Sequence, residues 1–202
     1  LYITINCSTF VKKLKMEKIK ILFLDIDGVL NIIPQGFDEF GGIFHPQFVD
    51  NLAHVIEMTG AKIVVSSSWR QSGLDFIKNM WEKRGYPGEV IDVTPSLYLK
   101  RGGCIVFHND KLQRHPTESV GGYSIPRGCE IEYWLDHESE KFGLVENFVI
   151  VDDDNDFLYS QRNNLVITYK NHSHKDAIDF GYGLTKKCAE KAIKILNNNN
   201  LK

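Results

Sequence analysis

Ile21-Leu22-Phe23-Leu24-Asp25-Ile26-Asp27-Gly28-Val29-Leu30 is the stretch on which the fold turns. A run of apolar residues stops at Asp25, one residue intervenes, and Asp27 follows with Gly28 behind it. The run is too short to span a membrane and apolar enough for a strand buried on both faces. Two carboxylates at the carboxyl end of such a strand repel one another and are costly to desolvate. A divalent cation, a shared proton or exposure in a cleft relieves that cost, so Asp-x-Asp-Gly in this setting marks a candidate site.

Working outward, strand-like apolar runs alternate with amphipathic segments. Strands are expected over residues 18–25, 61–66, 90–93, 147–151 and 165–168, and helices over residues 46–59, 74–84, 127–140 and 184–196. In the first helix Phe48, Leu52, Val55 and Ile56 share a face, and Gly60 is its stop signal. Residues 31–44, with Pro34, Gly36, Gly41 and Gly42, read as a loop. Residues 94–125 hold no period and are broken by Pro95, Gly102, Gly103, Pro116, Gly121 and Gly122. A loop of this length inside a compact domain is usually functional or mobile. The alternation predicts an α/β fold: a doubly wound, Rossmann-like parallel sheet with helices on both faces and minimal cap insertions. Residues 18–196 are expected to form one catalytic domain with a small insertion at about 86–125. Residues 1–17 read as a flexible extension, with Met16 as the natural start, and 197–202 as a disordered tail.

Composition bounds the function. With 202 residues, 43% hydrophobic, the chain can bury a real core. A net charge of -2 gives no global basic field for nucleic acid, though a local patch remains open. Cys7, Cys104, Cys129 and Cys188 are scattered, which supports neither a zinc ribbon nor a disulfide scaffold and reads as free thiols in a reducing compartment. No transmembrane run is present, and the N-terminal lysines follow the apolar segment, the reverse of a signal peptide. A cytoplasmic location is expected. The Gly-x-x-x-x-Gly-Lys-Ser/Thr and Gly-x-Gly-x-x-Gly fingerprints are missing. Oligomeric state is not legible.

In open parallel sheets, ligands sit beyond the carboxyl ends of the strands. Three strands end there in polar clusters: Asp25/Asp27, Ser66-Ser67-Ser68 and Asp152-Asp153-Asp154, while Arg127 opens the helix before the last. An anionic nucleophile and an anionic phosphoryl group repel, so a phosphoryl-transfer site must supply positive charge. Mg²⁺ takes hard oxygen ligands such as these carboxylates. Ser66 and Arg127 can donate to phosphoryl oxygens. Asp25 as nucleophile gives an acyl-phosphate, and Asp27 can protonate the leaving oxygen and then deprotonate water.

This set resembles the haloacid dehalogenase-like (HAD) superfamily of phosphohydrolases across residues 18–156. Ile21–Leu30 matches its first motif, Val64–Ser66 a strand ending in Ser or Thr, Arg127 the basic residue of the third motif, and Val149–Asp153 a strand ending in an acidic pair. The resemblance implies Asp25 as nucleophile and Mg²⁺ ligand, Asp27 as acid/base with its carbonyl on the metal, and Asp152 and Asp153 completing the metal site. It also implies that the first- and fourth-motif strands are neighbours. More narrowly, Ser-Ser-Trp-Arg at 67–70, the Arg127-Gly128-x-Glu130-Ile131-x-x-Trp134-Leu135 stretch and the Asp run are similar to the HAD branch grouped with Swiss Army Knife RNA repair proteins.

Plainer readings stand beside these. Asp25 and Asp27 as a turn or helix cap rarely need two carboxylates at a buried edge. Ser66, favoured because it follows the apolar run, and Ser67 both remain phosphate-binding candidates, and Ser68 is a third. Lys100 and Arg101 compete with Arg127 as the phosphate cation. Arg70 reaches either substrate or a neighbouring carboxylate. Asp154 and Asp156 read as solvated or supporting groups. Trp81 and Trp134 read as packing, and Trp69, beside the serines, as packing or a substrate contact. His45, His108, His115, His172 and His174 lack metal-ligand spacing.

The function expected is a Mg²⁺-dependent phosphomonoesterase acting through an aspartyl-phosphate on Asp25. Its partner is a phosphorylated substrate, a nucleic-acid end or nucleotide, because a minimally capped site stays open to large molecules. The alternatives are a small-metabolite phosphatase and a HAD-fold binding or scaffold module with little turnover.

Overall fold

Side chains alternate along a strand, so an apolar strand covered on both faces must find two separate apolar partners. A computed structural model of the chain describes residues 16–100, 104–107, 122–168 and 182–198. Residues 1–15 of the expected extension over 1–17, the end of the tail (199–202), Arg101, His108, His115, His172 and His174 lie outside the described residues. The chain runs through β1 (Lys18–Leu24), the two-residue β2 (Phe37–Asp38) and β3 (Gly41–Gly42), α1 (Pro46–Thr59), β4 (Lys62–Val65), α2 (Leu74–Lys83) and β5 (Val90–Val93). It continues through β6 (Leu97–Lys100), β7 (Cys104–Phe107), β8 (Gly122–Ser124), α3 (Arg127–His137), β9 (Leu144–Asp152), β10 (Leu165–Ile167) and α4 (Lys186–Asn197).

Five strands form one sheet in the order β10-β9-β1-β4-β5, with every neighbouring pair parallel. Leu22 and Leu24, Ile63 and Val65, and Val149 and Val151 face one side, against Phe48 and Leu52 of α1, Ile77 and Met80 of α2, and Ala189 and Ala192 of α4. Ile21, Phe23, Val64 and Ile150 face the other side, under Ile131 and Trp134 of α3. Phe23 meets Trp134 and Phe148 edge-on, with ring centroids 5.4 and 5.9 Å apart. The fold is therefore the expected doubly wound α/β sheet with helices on both faces. Among the described residues no helix is long and apolar enough to cross a membrane.

Two segments carry more order than their sequence suggests. Residues 31–44 fold into a small hairpin that pairs Phe37 with Gly42 and Asp38 with Gly41. Arg84, just past α2, clamps it. Its guanidinium donates to both Asp38 carboxylate oxygens (3.0 and 2.5 Å) and to the Gly41 and Gly42 carbonyls (3.0 and 2.9 Å). Within residues 94–125, β6 pairs antiparallel with β7 and β8 to give a three-stranded sheet, order β7-β6-β8. Strands this short, separated by glycines, leave no hydrophobic period, and their pairing is made by backbone bonds to which the sequence is silent. The helix expected over 127–140 ends at His137 and passes into a 3₁₀ turn, Ser139–Lys141, where Ser139 Oγ donates to the Leu135 carbonyl at 2.7 Å.

The start of α3 is held tightly against the loop after β9. The Asp156 carboxylate accepts from the Arg127 backbone N–H (3.0 Å), and Gln161 Nε2 donates to the Gly128 carbonyl (2.9 Å). A Cβ at Gly128 would lie 2.5 Å from the Leu158 nitrogen and 2.8 Å from Phe157 Cα. Gly128→Ala should therefore force backbone apart and lower stability by about 1–3 kcal/mol, read as a lower midpoint in urea denaturation.

Candidate active site

β1 ends between β9 and β4, so the loops leaving these three strands meet at one sheet edge. The Asp25 N–H donates to the Val151 carbonyl (3.0 Å) and the Ser66 N–H to the Leu24 carbonyl (2.9 Å), which extends the ladder by one residue on either side. Beyond Asp25 the chain turns at once. Leu30 and Asn31 both donate backbone N–H bonds to the Ile26 carbonyl at 2.9 Å. Gly28 sits in this turn at φ 76°, and a Cβ there would fall 2.2 Å from Asp153 Cγ. Only glycine gives the left-handed turn and the room for Asp153 to close against it.

Among the described residues, Asp25, Asp152 and Asp153 form a group that could hold a metal ion, each offering an oxygen within 4.8 Å of the others. Asp25 and Asp152 are 6% and 2% exposed. Burial pushes the Asp25 carboxyl up to about 6 against the pull of Arg127, a Ser67 hydrogen bond and the Ile26 N–H, with Asp153 adding to the rise. Burial first, and then the Asp25 charge, hold Asp152 well above the usual carboxylate range. Asp153 is raised mainly by burial, and its hydrogen bond with the Asp25 side chain opposes the rise. Crowded, desolvated acids with raised proton affinity have the oxygen chemistry that a hard divalent cation takes.

The positive and neutral donors sit opposite. Arg127 Nη1 lies 3.7 Å from Asp25 Oδ1 and also donates to the Ser66 carbonyl. Of the serines, Ser67 is the one whose side chain stands near enough to Asp25 to lower its proton affinity. The Ser66 hydroxyl instead lies 3.5 Å from that of Thr94, and Ser68 is exposed at the start of a 3₁₀ turn. Lys100, the other described cation named from sequence, is the last residue of β6.

Asp27 stands outside the buried trio. Its Oδ1 accepts from Asn31 Nδ2 and its Oδ2 from Trp69 Nε1, both at 2.9 Å. Arg70 turns to a carboxylate. Its Nη2 donates to Glu130 Oε2 (2.6 Å) and its Nη1 to the Ser67 carbonyl (2.9 Å), while Glu130 Oε1 accepts from the Leu97 N–H (2.9 Å). The two side chains are 9% and 4% exposed, so this buried ion pair ties the serine loop to α3 and to the start of β6. Asp154 donates its backbone N–H to Asp152 Oδ1 (2.9 Å), and Asp156 caps α3 as described. Trp81 and Trp134 spend their indole N–H groups on the Pro87 carbonyl and the Asp92 carboxylate. Cys129 and Cys188 are free thiols.

Glu130, Asn31 and the Trp69 contact escaped the sequence reading. Glu130 carried a signal: it is an acid beside Ile131 on the inner face of a helix, where an unpaired charge is not tolerated.

A family model described as HAD domain in Swiss Army Knife RNA repair proteins matches residues 21–173. No curated protein and no solved structure matches the chain.

Two outcomes follow from the electrostatics. Removing one partner of the buried pair, as in Glu130→Ala, should cost about 3–5 kcal/mol in urea denaturation, and Arg70→Met with Glu130→Leu should recover most of it. Asp25 has a folded pKa above its unfolded value, so the folded state holds the extra proton. In chelator, stability should therefore fall as pH rises from about 4 to about 6.5, and Asp25→Asn should abolish its share of that fall, on the order of 3 kcal/mol at neutral pH. Thermal melts across this range read both.

Proposed function

The chain belongs to the family described as the HAD domain in Swiss Army Knife RNA repair proteins, and from that premise we propose a metal-dependent phosphomonoesterase that works through an aspartyl-phosphate on Asp25. The observation that carries the reading is the position of Asp25, buried among Asp152 and Asp153 with a guanidinium 3.7 Å away. A buried carboxylate facing both a cation-binding cluster and an arginine is poised to meet a phosphoryl group.

Mg²⁺ fits this donor set of hard, crowded oxygens, and Asp25, Asp152, Asp153 and the Asp27 carbonyl would hold it. When bound, it offsets carboxylate repulsion and draws charge from the phosphoryl oxygens. Asp25 attacks phosphorus. The bond from phosphorus to the leaving oxygen breaks, and that oxygen takes a proton from the Asp27 carboxyl. Asp27, now a carboxylate, takes a proton from the water that hydrolyses the acyl-phosphate and restores Asp25. Arg127 and the Ser67 hydroxyl, both already directed at Asp25, donate to the phosphoryl oxygens, with Ser66 fixing the loop through its carbonyl.

The substrate proposed is a phosphate on a nucleic-acid end or nucleotide. Two observations support it. The matching family is described by RNA repair. The insertion between β5 and α3 is also too short for a large independent cap domain that would seal a small metabolite from water.

Wild-type protein with Mg²⁺ should release phosphate from 3′- or 5′-phosphorylated oligonucleotides faster than from small phosphomonoesters. Asp25→Asn should lower turnover by about a thousandfold or more while the variant still unfolds in one cooperative transition. Full activity in Asp25→Asn would remove Asp25 from the nucleophile's role, and faster hydrolysis of small metabolites would replace the substrate class.

A further inference from the structure

Each oxygen of the Asp27 carboxyl receives one N–H bond, and the two donors come from different loops. Asn31 belongs to the turn that carries Asp27 itself, and Trp69 to the loop after β4. We propose that Trp69, assisted by Asn31, is a positioning residue that fixes the Asp27 carboxyl for proton transfer to the leaving oxygen; this rests on the phosphomonoesterase reading above.

Asp27 is exposed, and a carboxyl at an exposed turn would otherwise rotate among rotamers. A single donor leaves rotation about that bond, whereas two donors on two oxygens define the carboxyl plane. Each occupies one lone pair, so each oxygen keeps a position for a proton or for the leaving group.

The indole is suited to this task because it only donates and because its ring is wedged. Trp69 packs edge-on against Phe44 at 5.8 Å. Phe44 in turn stacks on Tyr86 at 4.6 Å, beneath the Arg84 guanidinium. Gly41, in the hairpin that Arg84 clamps, lies beside the indole edge: a Cβ there would be in ordinary contact with Trp69 Cη2, at 3.5 Å. The ring is thus held by rigid neighbours while its N–H points at Asp27.

The same donors also serve the product of the proton transfer. As Asp25 bonds to phosphorus, the leaving oxygen departs with the electron pair and takes the Asp27 proton. The carboxylate left behind then accepts two charge-assisted bonds that need no reorganisation.

Leaving-group dependence separates positioning from general damage, because an alkoxide needs a proton and a nitrophenolate does not. The test compares kcat/KM, which reports the first chemical step, for wild type and Trp69→Phe in Mg²⁺. The substrates are p-nitrophenyl phosphate and the alkyl phosphomonoester that the wild type hydrolyses best. Trp69→Phe keeps the ring and removes the donor. It should lose about 10- to 100-fold on the alkyl ester and less than about threefold on p-nitrophenyl phosphate. Asn31→Ala, which removes the second donor without touching the aromatic packing, should show the same split. Equal losses on both substrates, or no loss on either, in both variants would overturn the positioning role and leave the phosphomonoesterase reading standing. A wild type inactive on both substrates would overturn that reading itself.

Discussion

Three carboxylates within 4.8 Å of one another, two of them buried, set the terms for the rest of this molecule. Crowded, desolvated acids are expensive, and much of the surrounding architecture exists to tolerate them. Parallel pairing of β1 with β9 brings Asp25 and Asp152 to one sheet edge from sequence positions far apart. Gly28 supplies the turn and the space by which Asp153 joins them. Arg127, the first residue of α3, puts one positive charge against the cluster. The raised proton affinities of all three acids measure how incomplete the protein's own compensation is.

A second set of interactions holds the serine loop in place. Arg70 and Arg127 each bind a carbonyl of the serine loop, so the Ser66–Ser67 segment is fixed from two sides. Arg70 is anchored by Glu130, which also receives the Leu97 N–H, and the site, α3 and the start of the insertion therefore form one bonded unit. On the opposite side, Arg84 fixes the β2–β3 hairpin. Trp69 lies between that hairpin and Asp27. The acid trio and Asp27 thus share one support, the loop after β4 that carries Ser67, Trp69 and Arg70. Asp25 and Asp152 are buried beside it, while Asp27 stays open to solvent.

The sheet and its helices were legible because their residues obey simple periods. The apolar runs before Asp25, Ser66 and Asp152 are strands, and the carboxyl-edge rule gathers their polar ends. The family resemblance carried by residues 21–30 and the later motifs agrees with the family match over residues 21–173. The two insertions were not legible, since hairpins of two- to four-residue strands rest on backbone pairing and on one distant arginine. The surroundings of the serines were not legible either: strand ends are read to within a residue, and here one residue separates a hydroxyl turned to Thr94 from one near Asp25. Nor does a sequence reveal that an indole and an amide meet on one carboxylate, because Asn31 and Trp69 come together only when the two loops fold.

On the proposed function, Asp25, Asp152 and Asp153 form a cation site whose occupancy displaces protons. Titration calorimetry with Mg²⁺ near pH 6, run in buffers of different ionisation enthalpy, tests it most directly, with Asp152→Asn as the control. One Mg²⁺ per chain, proton release on binding and at least about tenfold weaker affinity in Asp152→Asn are the expected results. Unchanged affinity in Asp152→Asn with no proton release would contradict the claim.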